Sequence, residues 1–322
     1  MSNSKYIVEK IEFPDFGMWD DMVNSSPQGS VFHLSDWIKT CADSQNNDYV
    51  LYGVYKNCEL IAGLPLIMKK YKGILKYGTS SISLTPYGGF LLPENSSTKV
   101  RENEQRNNQI IEAVLSEVHK EKLLRTQIIN PPEFYDIRPF TWNNWKAKVY
   151  FTYILDLNKD TWANISKKTR NIIRKGQKNS ISTEVYWDNE LYWKLNLDTY
   201  GKQGKNPPFS KDYLISLMNL INEKNLGEMW VARMPNGNVI SAEVILWDNK
   251  MAHRWSAAAC YEYRDTGGTS LLLYDIFESL QKRGYDKINL MAANTPQLTK
   301  FVTGFNPNIV NYYCVSKRIS HR

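Results

Sequence analysis

No two of the four cysteines in this 322-residue chain stand close together: Cys41, Cys58, Cys260 and Cys314 form no C-x-x-C pair. That argues against a zinc ribbon, a thioredoxin-type redox motif or a disulfide framework, and each thiol reads as a core or surface side chain. The four histidines, His33, His119, His253 and His321, are just as scattered, and none has the i,i+4 partner of a helical metal site. No metal is expected. Nor does any run approach the ~18 consecutive apolar residues that mark a membrane span. Met1 to Lys10 is polar and lacks the basic-then-apolar layout of a secretory leader, so a cytoplasmic chain is expected. Low-complexity sequence is absent.

What is present is ordinary globular material, 42% hydrophobic and 23% charged, in a length that suits two domains. Lys and Arg number 40 against 33 Asp and Glu, a net +7 that favours an anionic partner: a phosphate-bearing cofactor, RNA or a membrane surface touched peripherally. Pro, Asn and aromatic residues break the pattern between Asn130 and Trp145, near the middle. Each side of that break carries a strand, a tight polar turn and a second strand. In the first half Tyr49–Tyr55 leads through Lys56-Asn57 into Leu60–Met68. In the second, Glu228–Met234 leads through Pro235-Asn236-Gly237-Asn238 into Val239–Trp247, where Asn-Gly is a strong hairpin signal. Leu60-Ile61-Ala62-Gly63 falls on Val239-Ile240-Ser241-Ala242, which fits a diverged domain duplication.

The second half reads more fully. Val149–Leu157 alternates as a strand, and a helix capped by Asp160 or Thr161 is expected to run to about Lys178. A short strand (Ile181–Tyr186) and two helices capped by Asp188 and Ser210 follow. Then come strands over 228–234, 239–247 and 251–259, a Gly267-Gly268 loop opening a helix over Thr269–Lys282, and strand Lys287–Met291. A short helix near Pro296–Thr303 and strand Ile309–Val315 complete the half.

Three features could carry chemistry. On the helix ending at Lys178, Trp162, Ile165, Thr169, Ile172 and Ile173 form a buried stripe, with Lys167, Arg170 or Asn171, Arg174 and Lys178 as a basic stripe beside it. Such spacing suits either a solvated face or a rail for successive phosphates of an RNA. Between a strand and a helix, Arg264-Asp265-Thr266-Gly267-Gly268-Thr269 suits an anion, because glycines let the free N–H groups of a helix start converge on it. Arg264, Gly267, Gly268 and Thr269 are therefore the candidate donor-binding residues. Third, Glu243 sits mid-strand among apolar neighbours, where a carboxylate needs a partner or a purpose. It is either a general base with a raised pKa or a structural partner for a nearby Arg or Lys. His253 and Trp255 share a face of the next strand; His253 is the second catalytic candidate and Trp255 a substrate contact.

With these residues in hand, the chain resembles the FemAB peptidyltransferase family (FemX-like) and its BioF2-like acetyltransferase relatives. Phe32-His33-Leu34-Ser35-Asp36-Trp37 resembles the opening helix of that family, Ile61 to Leu66 its "v-G-x-l-P-L" strand, and Thr85-Pro86-Tyr87-Gly88-Gly89 its "Y-G-G" turn. Ser166 to Arg170 with Arg174-Lys175 resembles its "s-k-k-x-R-x-x-I-R-K-A" helix, and Gly204 to Phe209 and the Gly304-Phe305 turn fit as well. The element order is also similar to a GNAT fold, and Arg264-x-x-Gly267-x-Thr269 resembles its R/Q-x-x-G-x-G/A loop. The resemblance implies an α+β fold of two tandem GNAT-like (acyl-CoA N-acyltransferase) domains, each a mixed, mostly antiparallel sheet flanked by helices. They are expected at 1–147 (degenerate, acceptor side) and 148–322 (donor side), with residues 311–322 returning as a strand to complete the first.

The resemblance further implies transfer of an aminoacyl group from aminoacyl-tRNA to an amine of a cell-envelope acceptor. Acetyl-CoA-dependent N-acetylation is the alternative, and non-catalytic binding of an anionic ligand is a third. The donor is a co-substrate, and no tightly bound cofactor is expected. Tyr87 would shape the acceptor site, and Lys211 and Tyr213 match an Arg and a Tyr that contact acceptor phosphates. The "F-K-x-x-F-G" pattern departs here: Val302 stands at the Lys position, with Lys300 nearby as the substitute.

Overall fold

The computed structural model describes residues 6–12, 14–71, 75–202 and 204–318. His321, residues 1–5 of the polar N-terminal stretch and residues 319–322 of the expected last strand lie outside them. The first half runs β1 (Ile7–Ile11), α1 (Phe16–Ser25), α2 (Ser35–Asp43), β2 (Asp48–Lys56), β3 (Glu59–Tyr71), β4 (Leu75–Thr79), α3 (Val100–Lys120), β5 (Arg125–Ile129) and the one-turn α4 (Arg138–Thr141). There follow β6 (Lys146–Asp156), α5 (Thr161–Asn164), α6 (Lys167–Lys178), β7 (Ser182–Val185), α7 (Asn189–Gly201), α8 (Lys211–Glu223), β8 (Gly227–Arg233), β9 (Val239–Trp247) and β10 (Ala252–Ala259). The chain closes with α9 (Gly268–Lys282), β11 (Lys287–Asn289), α10 (Pro296–Val302) and β12 (Asn308–Arg318).

Two compact units divide the chain, Met1–Tyr150 with Asn311–Arg322 and Phe151–Val310. In the first the strands lie in the order β1-β2-β3-β4-β5-β12, with β4 and β5 parallel and every other pair antiparallel. In the second the order is β7-β8-β9-β10-β11-β6, with β10 and β11 parallel and the rest antiparallel. The repeat is thus one of topology, strand by strand. Two helices precede the second strand of each unit, and one helix, α3 or α9, makes the crossover between the parallel pair. The closing strand of the first unit comes from the far end of the chain: β12 pairs with β5 from Cys314↔Ile129 to Arg318↔Arg125.

Each unit has its own core. Leu64, Leu66, Ile110, Ile111, Val114 and Phe140 anchor the first, and Ile173, Leu272, Ile276, Phe277, Ile288 and Phe305 the second. Fully burying one such side chain is worth about 1.5–3 kcal/mol. The two hairpins close through residues at positive φ: Asn57 and Cys58 in the first unit and Gly237 in the second. In the first unit the motifs around Trp37 and Tyr87 form one packed structure. Trp37 Nε1 donates to Thr85 Oγ1 at 3.1 Å, and Phe32 meets the Tyr87 ring edge to face at 5.4 Å.

One expected element is split. The helix read from Asp160 to Lys178 is two helices, α5 capped by Asp160 and α6 capped by Ser166, whose hydroxyl accepts from the Thr169 N–H at 3.2 Å. Ser166 N–H donates out of the segment to Gly304 O at 3.0 Å, so the chain turns there instead of continuing.

Candidate functional site

The parallel pair in the second unit is short. β10 and β11 pair only at Ala252↔Ile288 and His253↔Asn289. Beyond His253, β10 stays with β9 to Ala259↔Ser241, whereas the chain after β11 moves toward β6, Leu290 N–H donating to Tyr153 O at 2.7 Å. The two strands therefore part and leave a wedge between them. A bulge at the point of parting, between Arg254 and Ser256, sets two residues of β10 against one of β9.

The glycine loop and α9 stand after the open end of β10. Gly267 has φ +89° and is the N-cap of α9. A Cβ there would lie 2.4 Å from Ile172 O and 2.7 Å from Gly176 N, so only glycine lets the helix start press against α6. Gly176 returns the fit, since its own Cβ would lie 3.0 Å from Gly267 O. Asn179 Nδ2 adds a bond to Thr266 O at 2.9 Å. The basic helix and the glycine loop are thus neighbours. Arg264 is half exposed and lies 4.0 Å over the Tyr261 ring, on which Lys202 also rests at 5.0 Å. This end of the loop carries Lys202, Arg264 with Asp265 3.5 Å from its Nε, and a helix N-terminus whose Gly268 N–H donates to Thr266 Oγ1 at 3.3 Å.

The basic stripe itself divides. Lys167, Arg174 and Lys178 are exposed. Arg174 lies 5.3 Å over Trp162. Arg170 does not belong to a rail: its Nη1 donates to Trp162 O, Ala163 O and Ile165 O at 3.1, 3.0 and 2.6 Å, satisfying carbonyls at the end of α5. Ile172, expected in the buried stripe, is 37% exposed, because Thr169, Ile173 and Gly176 form the face that packs.

Glu243, the expected general base, is 1% exposed and held by Arg254: Nε donates to Oε2 at 2.8 Å and Nη2 to Oε1 at 2.7 Å. Burial pushes the carboxyl above its ordinary value and the guanidinium pulls against it. Both carboxylate oxygens thus accept from the one guanidinium, a partner of the kind the structural reading expects. His253 is likewise buried, its Nε2 2.7 Å from Asp248 Oδ2. Burial works to raise Asp248, but the His253 ring and the N–H groups of Lys250 and Met251 outweigh it and hold the carboxyl at about 2. Trp255 is buried at the bulge.

Of the expected acceptor contacts, Tyr87 belongs to the first unit and Lys211, Tyr213, Trp255 and Lys300 to the second. Lys211 is paired with Glu190 at 2.8 Å. Tyr213 is 1% exposed inside the second unit, and Tyr87 is buried among Phe32 and Tyr312 in the first. Lys300 is exposed on the last turn of α10. Arg254 and Asp248, the partners of Glu243 and His253, are not singled out by the sequence reading. The available signal was opposite charge within one hairpin, a lone Arg on β10 facing the strand that carries the lone Glu.

Residues 165–296 match the family model of an acetyltransferase (GNAT) domain. No curated protein sequence matches the chain. FemX superposes with a TM-score of 0.72 at 13% identity, over 95% of this chain and 96% of that one. A tandem GNAT protein from the clavulanic acid biosynthesis pathway superposes with a TM-score of 0.58 at 9% identity, over 98% and 99%. The fold is a FemX-like tandem GNAT fold. L-PGS from Bacillus licheniformis shares it, with a TM-score of 0.58 at 11% identity over 98% of this chain and 94% of that one.

The two GNAT units are unequal at the wedge. In the first unit β4 ends at Thr79 and the chain itself fills the slot beyond it. Gly88 N–H donates to Ile129 O at 3.2 Å and Phe90 N–H to Asn130 Oδ1 at 3.1 Å, while Leu91 exchanges backbone bonds with Gly63 at 2.8 and 3.0 Å. Gly88 and Gly89 permit this: a Cβ on Gly88 would lie 2.3 Å from Ser80 O, and Gly89 sits at φ +124°. Among the described residues no helix is long and apolar enough to cross a membrane.

Proposed function

We propose that the chain is an acyltransferase whose donor binds in the second unit, in the wedge between β10 and β11 with its phosphates at the start of α9. The observation that carries the reading is the contrast between the two units. The β10–β11 wedge has no backbone ladder across it and ends at a glycine-opened helix start, whereas the equivalent slot of the first unit is closed by Gly88–Leu91. An anion at α9 would meet the N–H groups of its first turn and the Arg264 side chain.

Aminoacyl-tRNA is the donor we favour. Lys167, Arg174 and Lys178 stand exposed on a helix packed against the Gly267 loop and offer cations to a chain of phosphates rather than to one. Acetyl-CoA is the second reading, supported by the match of residues 165–296 to an acetyltransferase model. In both cases an amine of the acceptor attacks the acyl carbonyl, a C–N bond forms, and the tRNA hydroxyl or the thiol leaves. Glu243 and His253 are committed to Arg254 and Asp248, so the rate rests on alignment of donor and acceptor rather than on a side-chain base. Titration of the pure protein with acetyl-CoA and, separately, with aminoacylated tRNA tests this, Arg264→Ala being the diagnostic variant. Loss of affinity for one donor identifies it, and unchanged affinity for both removes the site.

A further inference from the structure

The sheet of the first unit has two unlike faces. One is core: Met68, Ile128 and Val315 are buried with Ile111, Val114 and Val118 of α3. Side chains alternate along a strand, so the residues between them face the other way. There the register sets Lys69 of β3 beside Tyr77 of β4, Tyr77 beside Arg125 of β5, and Arg125 beside Arg318 of β12. Lys148, on the part of β6 that belongs to this unit, joins the same face. It lies 4.6 Å over the Tyr150 ring, which stacks on Tyr312 of β12.

Four cations thus share one face, and among the described residues none of them has a carboxylate partner. The next residue of β3, on the opposite face, does: Lys70 pairs with Asp48 at 2.8 Å. Arg125 and Arg318 are the sharpest case. They are register partners, a placement in which like charges repel and weaken a sheet. Arg125 is half-buried, and its Nε is shut from solvent with no hydrogen-bond partner. Burial lowers the Lys69 ammonium below its ordinary value. At Cys314 burial raises the thiol while Arg125 and Lys148 pull against it, which places both cations around that residue. Each of these is a cost to the chain alone and a gain against an anion.

The shape of the cluster selects the anion. From Lys69 to Arg318 the cations span three strand spacings, about 14 Å, which one phosphate cannot bridge and a run of phosphates can. Beside them lie Tyr77, Thr79, Gln127 and Ser316, half-buried on the same face. These hydroxyl and carboxamide groups hydrogen-bond to sugar and phosphate and do not enter a bilayer as aliphatic side chains do.

We infer that this face of the first unit binds the phosphate backbone of an RNA. That the RNA is tRNA rests on the donor reading above, whereas the face itself does not depend on the α9 site.

Deacylated tRNA carries no group to transfer, so its binding reads the face apart from the donor chemistry. Its affinity for the full chain is measured by filter binding over a salt series, for the parent and two double variants. Lys148→Gln with Arg318→Gln removes two cations from the face. Lys70→Gln with Lys120→Gln removes the same charge from ion pairs elsewhere in the unit. The first variant should lower the slope of log affinity against log salt by about 1.4, at ~0.7 per phosphate contact. Its thermal midpoint should stand at or above that of the parent, because the Arg125–Arg318 repulsion is relieved. The second variant should leave the slope unchanged. Equal slopes in all three proteins, an equal fall in both variants, or no binding of deacylated tRNA overturns the assignment. So does loss of binding to phosphatidylglycerol vesicles in the first variant with RNA binding intact. If acetyl-CoA proves to be the donor while the slope still falls in the first variant, the donor reading fails and the RNA-binding face stands.

Discussion

Arg254 and Glu243 share one face of the β9–β10 hairpin and lie on either side of a bulge in β10. Glu243 is the register partner of Ala257, and Arg254 pairs with Ile245, two residues from Glu243 on β9. Without the bulge, Arg254 and Ala257 would point to opposite faces of the sheet. The extra residue at Trp255 brings them to the same one, and the guanidinium then closes on the carboxylate with two bonds.

That pair makes a stability prediction. Glu243→Ala leaves a buried guanidinium alone and should cost about 3–5 kcal/mol in denaturant unfolding. Replacing both partners, Glu243→Leu with Arg254→Met, should recover most of that loss. If the double variant folds and retains transfer activity, Glu243 is structural. Loss of activity in a stable double variant would restore it as the general base.

The His253–Asp248 contact makes a prediction in pH. Asp248 titrates at about 2 in the folded chain against an ordinary value of 3.8. Its contribution is therefore complete above the unfolded value and is lost as pH falls from about 4 toward 2. It amounts to about 2 kcal/mol. Asp248→Asn should lower stability at neutral pH by about that amount and flatten the acid limb of the stability curve across that window. An unchanged acid limb would mean that the contact is not formed in solution.

Gly267 and Gly237 should respond differently to alanine. Both have positive φ, but a Cβ at Gly237 meets nothing within 4 Å, whereas at Gly267 it would collide with backbone of α6. Gly237→Ala should cost about 1 kcal/mol, the conformational penalty alone. Gly267→Ala should cost several kcal/mol by overpacking and shift the α9 start away from α6. Equal melting shifts for the two variants would contradict the close packing of these helices.

The basic helix separates into two kinds of cation. Arg170→Ala should lower stability by about 1–3 kcal/mol, since three carbonyls lose their donor. Lys167→Ala with Lys178→Ala should leave stability unchanged and lower the slope of log affinity for tRNA against log salt by about 1.4, at ~0.7 per phosphate contact. No change in slope would return that face to a solvated surface.

The sequence shows the fold more readily than the site, and the reason is physical. The β8–β9 hairpin is legible because Asn236-Gly237 dictates a turn and β9 is apolar apart from Ser241 and Glu243, and the observed β9 runs Val239–Trp247 as the pattern predicts. The helix break at Ser166 is not legible, because it depends on the Gly304 carbonyl, more than a hundred residues away. Period-two alternation alone does not reveal the Arg254–Glu243 pair, because it gives the face of each residue on its own strand and not the register between strands. Arg170 looks like a rail cation by spacing alone, since nothing local tells where a guanidinium will find carbonyls.

The account rests on a donor held at the start of α9, and binding of the two donors to parent and Arg264→Ala protein tests it most directly. Saturable binding of aminoacyl-tRNA or acetyl-CoA that weakens about tenfold in the variant is the predicted result. Failure of both donors to bind, or affinities that do not respond to Arg264, would contradict it.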